Sequence, residues 1–149
     1  MYEYAARFEP AEEGGFVITF PDIPEIVTQA ETPDEGVEMA VDALQLALSG
    51  YMKRKEAIPA PRHHKGSHIV RVTLPVLSGV KIALYELMRS QRRNKADLAR
   101  TLGRQPSEID RLLSLRHKSR IDDVELAFRV LGATLEIKVR DSTLKSSVA

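Results

Sequence analysis

The chain has 149 residues, no cysteine and no tryptophan, 29% charged and 43% hydrophobic residues, and a net charge of +1. This composition suits a globular protein of one domain or two small ones, and it excludes wholesale disorder, disulfide frameworks and thiolate zinc sites. No apolar run reaches the roughly 20 residues that span a bilayer, and Glu3 interrupts the opening MYEYAARFEP, so a cytoplasmic protein without signal peptide or membrane span is expected. The near-neutral total conceals a division. Residues 1–60 hold four Lys or Arg against twelve Asp or Glu (−8), and residues 61–149 hold eighteen against nine (+9). An acidic half suits a basic partner, and a basic half suits phosphate.

In chain order, Tyr2–Phe8 carries β-favouring aromatics, and Glu12, Glu13, Gly14 and Gly15 make a turn before Phe16–Phe20, which predicts a hairpin. Pro21 and Pro24 break the second strand, since proline removes ladder donors, and Ile26–Ala30 predicts a third. Thr32, Pro33 and Glu35 spell a helix start: an N-cap, a proline at the first helical position, and a capping-box glutamate. Val37, Val41, Leu44, Leu48 and Tyr51 recur at helical spacing as the stripe expected to cover the sheet, with Met39 and Gln45 off it. Residues 53–67, with two prolines and paired histidines, read as a connector. Ile69–Leu74 then predicts a fourth strand returning to the sheet.

Val76 to about Arg89 predicts a supporting helix with Val80, Leu84, Leu87 and Met88 inward. Asn94–Arg120 reads as a helix-turn-helix: Leu98, Ala99 and Leu102 on one face, Gly103 as the stop, then Ile109, Leu112 and Leu113 on a second helix. Ile121, Val124, Ala127, Val130 and Leu131 form a later helix closed by Gly132. Leu135, Ile137 and Val139 alternate with charged residues in a short terminal strand that lacks a partner in its own domain. Pairing with a second copy would bury that edge and make the protein a dimer or larger. A frayed tail is expected over 141–149.

The start of the second hairpin helix is where side chains enter a DNA major groove. Gln105, Pro106, Ser107, Asp110 and Arg111 are therefore the candidate reading face. Gln105 has the paired geometry for adenine, Arg111 suits guanine or a phosphate, and Asp110 either accepts from cytosine or orients Arg111. Arg92, Asn94 and Lys95 before it, and Arg116, Lys118 and Arg120 after it, are candidate phosphate contacts to double-stranded DNA. The acidic half offers no catalytic constellation. Glu3, Glu9, Asp22 and Asp42 fall on a strand, a turn, a loop and a helix without the convergence a metal-dependent nuclease needs. His63, His64 and His68 lack helical ligand spacing and a cysteine partner, so no metal or other cofactor is expected. A partner-binding module, and not an enzyme, is the expectation.

The segment Gly14–Leu48, GGFVITFPDIPEIVTQAETPDEGVEMAVDALQLAL, resembles the N-terminal signature of HicB antitoxins: two glycines, a strand ending in Phe-Pro-Asp, a short strand and a capped helix. The region Ile69–Leu131 is similar to the longer members of that family, which add a Cro- or Xre-like helix-turn-helix. The resemblance covers about nine tenths of the chain. It implies an α+β protein with a partial RNase H-like ββ(β)αβ domain over 1–74, a helix-turn-helix bundle with a short terminal strand over 75–140, and neutralisation of a HicA-type mRNA interferase coupled to repression of the operon. Glu25 departs from the glycine common after the second proline of the Phe-Pro-Asp-x-Pro loop. The residues expected to face the toxin are Glu9, Glu12, Glu13, Asp22, Ile23 and Glu25, with Ile23 equally readable as core. The rival reading is a repressor whose N-terminal domain binds a ligand or another protein. A third is a nuclease of RNase H type, which would cleave in a metal-dependent way.

Overall fold

The structure, a computed structural model, describes residues 2–143. Four antiparallel strands, β1 (Glu3–Pro10), β2 (Phe16–Phe20), β3 (Ile23–Ala30) and β4 (Ile69–Thr73), form one sheet in the order β3-β2-β1-β4. β3 is three residues longer than expected and contains Pro24. An edge strand tolerates this because its outer donors need no ladder partner. A register irregularity between Thr19 and Phe20 sets the entry into β3. Alternation then places Tyr4, Ala6, Phe8, Ile18, Phe20, Ile23, Ile26 and Val72 in the core.

Helix α1 (Pro33–Lys53) covers that inner face. The Thr32 hydroxyl accepts the Glu35 N–H at 3.3 Å, while the Glu35 carboxylate accepts from Glu31 instead of closing the box on Thr32. The buried stripe is Gly36, Ala40, Leu44, Gln45 and Leu48, one position away from the expected Val37 and Val41. Small residues bring the helix axis close to the sheet: a Cβ on Gly36 would meet the Phe8 ring at 2.6 Å. Val37 and Met39 are left exposed, and Gln45 is buried with its amide donating to Ser78 Oγ at 2.7 Å.

The connector between α1 and β4 has no regular structure, yet it is tied down along its length. Tyr4 and Tyr85 donate hydroxyl bonds to the carbonyls of Pro59 and Glu56, and Ile58 is buried. Beyond β4, the helices α2 (Val76–Ser90), α3 (Lys95–Leu102), α4 (Pro106–Leu113) and α5 (Ile121–Val130) form a second layer. The buried side chains run from the sheet through α1 into this layer as one cluster. α2 buries Ser78, Lys81, Ile82 and Tyr85 as well as the expected Leu84 and Met88, while Val80 and Leu87 are only partly covered. In α3 and α4 the expected Leu98, Ala99, Ile109, Leu112 and Leu113 are buried, and Gly103 takes φ 62° to end α3. Val124 and Ala127 of α5 are buried with Leu131, and Ile121 is exposed. Residues 133–140 form no strand within the chain. Leu135 packs against the core, and Ile137 and Val139 stand exposed, because no strand edge lies beside them. Most of the expected frayed tail, from residue 144 on, lies outside the described residues.

Candidate functional site

Two surfaces gather the residues the sequence singled out. The first is the start of α4. Gln105 is its N-cap residue and Pro106 its first helical position, and the Glu108 carboxylate accepts the Gln105 N–H at 2.8 Å. That bond stabilises the helix start and leaves the Gln105 side chain exposed, together with Pro106, Ser107, Asp110 and Arg111. Burial of Ile109, Leu112 and Leu113 turns Ser107, Asp110 and Arg111 outward on one polar face. The turn before α4 is held to α5 by Arg104 and Asp123 at 2.9 Å.

The structure assigns three of these residues to roles that sequence reasoning did not foresee. Asp110 receives Lys95 Nζ at 2.7 Å, which ties the start of α3 to α4. Lys95 is correspondingly paired. Asn94 is the N-cap of α3 in a full capping box: its Oδ1 accepts the Asp97 N–H at 2.8 Å, and Asp97 accepts the Asn94 N–H at 3.1 Å. The pattern N-x-x-D carried this signal. Arg92 is exposed at φ 55°, in the turn that closes α2, and Arg116, Lys118 and Arg120 are exposed around the segment joining α4 to α5.

The second surface is acidic. Glu9, Glu12, Glu13 and Glu25 are exposed at the first hairpin and along β3. Asp22 and Ile23 are not. Ile23 has no exposed surface, the core reading the sequence had left open. Asp22 is buried because the connector folds over it: the Arg62 N–H donates to Oδ2 at 2.9 Å, His64 Nε2 lies 2.8 Å from Oδ1, and the Arg62 guanidinium stands 3.3 Å away. Burial alone would raise this carboxyl, but the donors from Arg62 and His64 outweigh it and hold the group below its ordinary range. The Glu25 carboxylate near Tyr51, together with burial, pushes that hydroxyl up. Asp34, Glu38 and Asp42 are likewise exposed, at four-residue intervals along α1, and add to the acidic surface. Their spacing was a visible signal.

The histidines separate, His64 toward Asp22 and His63 toward Arg71 at 3.1 Å. Among the described residues no three His, Asp or Glu gather as metal ligands, and no helix is long and apolar enough to cross a membrane.

A family described as HicB-like antitoxin of bacterial toxin-antitoxin systems matches residues 3–83, which include all four strands and α1. The chain belongs to the HicB-like antitoxin family. Curated relatives extend the match to most of the chain. Antitoxin HicB of Escherichia coli (strain K12) is 38% identical over 135 residues, 90% of this chain and 96% of that protein. Antitoxin HicB 2 of Photorhabdus laumondii is 40% identical over 134 residues, 90% and 94% respectively. Antitoxin HicB of Pseudomonas fluorescens is 34% identical over 140 residues, 93% and 94%. These matches cover 90% or more of the chain and so extend beyond the matched N-terminal region into the helical layer.

Proposed function

We propose that this antitoxin neutralises a HicA-type mRNA interferase by covering its active surface, and that it represses its own operon by binding operator DNA. In this reading residues 1–74 are the toxin-binding domain, a partial RNase H-like unit, and residues 75–140 are the DNA-binding domain, with α3 and α4 as its helix-turn-helix. The observation that carries the DNA arm is the start of α4: Gln105, Ser107 and Arg111 lie exposed on one face, flanked by exposed Arg92, Arg116, Lys118 and Arg120. Exposed Glu9, Glu12, Glu13 and Glu25 suit a basic, RNA-binding toxin. Ile137 and Val139, apolar and uncovered, supply an edge on which a second copy pairs through residues 135–139, giving a cytoplasmic dimer or tetramer with half-sites about one DNA turn apart.

Co-expression of the full chain with the small toxin gene beside its own tests the first arm. Growth is restored and the two proteins co-purify; persistent arrest without a complex removes the occlusion mechanism. Binding to the duplex upstream of the coding sequence, in preference to random duplex, tests the second.

A further inference from the structure

Lys81 of α2 has no exposed surface, and its partners among the described residues are four oxygens, none of them a carboxylate. Its Nζ donates to the carbonyls of Arg111 at 3.1 Å, Ser114 at 2.7 Å and His117 at 2.7 Å, and to Ser119 Oγ at 2.9 Å. The three carbonyls are spaced by three residues, so the chain leaving α4 winds around the ammonium. Each carbonyl also accepts a backbone N–H, from Ser114, His117 and Ser119 respectively, and the Arg111 carbonyl takes a further, long bond from Ser119 Oγ at 3.4 Å. Because α4 ends at Leu113, the cation also sits at the negative end of that helix.

Such a group is costly. An ammonium without a carboxylate partner loses its hydration on burial, which pushes Lys81 down to about 8. For packing alone a methionine of similar length would serve without that cost. The carbonyl ring therefore needs a reason, and the course of the loop supplies one. Ser78, nearly a turn earlier on α2, donates to the Leu115 carbonyl at 3.2 Å, so α2 holds the segment 114–119 at two places. Leu115 is buried and Ser119 half-buried, while Arg116, Lys118 and Arg120 point outward between and beyond them.

We propose that Lys81 is a positioning residue for DNA binding. Its ammonium fixes the exit of α4 and the path of residues 114–119, so that Arg116, Lys118 and Arg120 meet the DNA backbone as a set while Gln105, Ser107 and Arg111 occupy the groove. The proposal rests on the DNA-binding reading of α4 given above.

The test compares the full chain with Lys81→Met and Arg111→Ala, using the duplex upstream of the coding sequence and a random duplex at salt concentrations from about 50 to about 200 mM. Each phosphate contact contributes about 0.9 to the slope of log affinity against log salt. Lys81→Met, still melting cooperatively, is expected to bind about tenfold more weakly with a slope smaller by about 1 to 3, a change that a general loss of stability does not produce. A folded Lys81→Met with an unchanged slope overturns the proposal while leaving the reading of α4 intact. If that variant does not fold, Ser119→Ala decides: a smaller slope supports the proposal and an unchanged one overturns it. Absence of DNA binding by the unaltered chain strikes the helix-turn-helix reading itself, and the role of Lys81 falls with it, whereas an Arg111→Ala variant with unchanged preference for the upstream duplex takes only Arg111 out of the reading face.

Discussion

Among the described residues the sheet layer and the helical layer each contain one buried charged side chain that pins a loop, and each has the sign of the net charge of its half of the chain. In the acidic layer Asp22 is buried beneath the connector and held by donors from Arg62 and His64. In the basic layer Lys81 is buried beneath the 114–119 segment and held by carbonyls. The difference lies in what compensates them. Asp22 has a cationic partner and a main-chain donor, so its ionised form is favoured. Lys81 has only dipoles, so its charged form is disfavoured by burial. The sign of a residue therefore does not tell which side of the surface it occupies, and counting charges along the chain places structural and partner-facing groups in the same set.

Four measurements break or sharpen this comparison. The largest effect is expected for Ile23→Ala, which removes fully buried atoms from the sheet layer and lowers stability by about 2 to 5 kcal/mol in denaturant unfolding. A variant that melts like the parent but loses toxin affinity would return Ile23 to the interface. Asp22→Asn follows, with a loss of about 1 to 3 kcal/mol at neutral pH, because the connector's donors keep a weaker acceptor. The sign with pH is fixed by the depressed carboxyl. Its contribution is complete above the ordinary carboxylate range and is lost as pH falls through the lower folded value, so the gap between parent and variant narrows from neutral pH toward pH 3. A gap that stays constant across that range removes the ionised Asp22 from the explanation.

In the helical layer, Arg111→Ala is expected to weaken specific DNA binding by about 1 to 3 kcal/mol. Titration against specific and random duplex decides it, and an unchanged ratio takes Arg111 out of the reading face. The smallest effect is expected from Glu12→Lys with Glu13→Lys. These exposed hairpin charges steer association and leave stability within about 0.5 kcal/mol. Stopped-flow association with the toxin should slow and lose salt dependence; an on-rate equal to the parent's at low salt moves the toxin-facing surface elsewhere, with the acidic stripe of Asp34, Glu38 and Asp42 the next to examine.

Much of the architecture was legible because period and punctuation act locally. The Thr32-Pro33 start of α1, the Gly103 stop and the apolar positions of α3 and α4 needed no distant partner to be read. The errors share another cause. In α1 the expected Leu44 and Leu48 are buried and Val41 and Tyr51 pack against the core, but Val37 is exposed and the buried Gly36 and Ala40 were overlooked, because they bury their positions by being small and a search for large apolar residues passes over them. The terminal segment alternates as a strand does, but alternation supplies no neighbour: among the described residues of one chain it has no strand partner, and pairing with a second copy stands as a proposal. For Asn94 and Lys95 the sequence reading left out their structural partners, Asp97 and Asp110, which were close enough in sequence to be considered; their place as DNA contacts stays a proposal.

The sequence by itself determined the order of the elements, the division of charge and the family of this antitoxin, since each depends on residues read in place. Only the tertiary structure decided which charges are buried. Asp22 meets Arg62 and His64 across about forty residues, and Lys81 meets the end of α4 across about thirty. Whether a charged side chain is solvated or enclosed depends on chain segments brought together by folding, which no local pattern records.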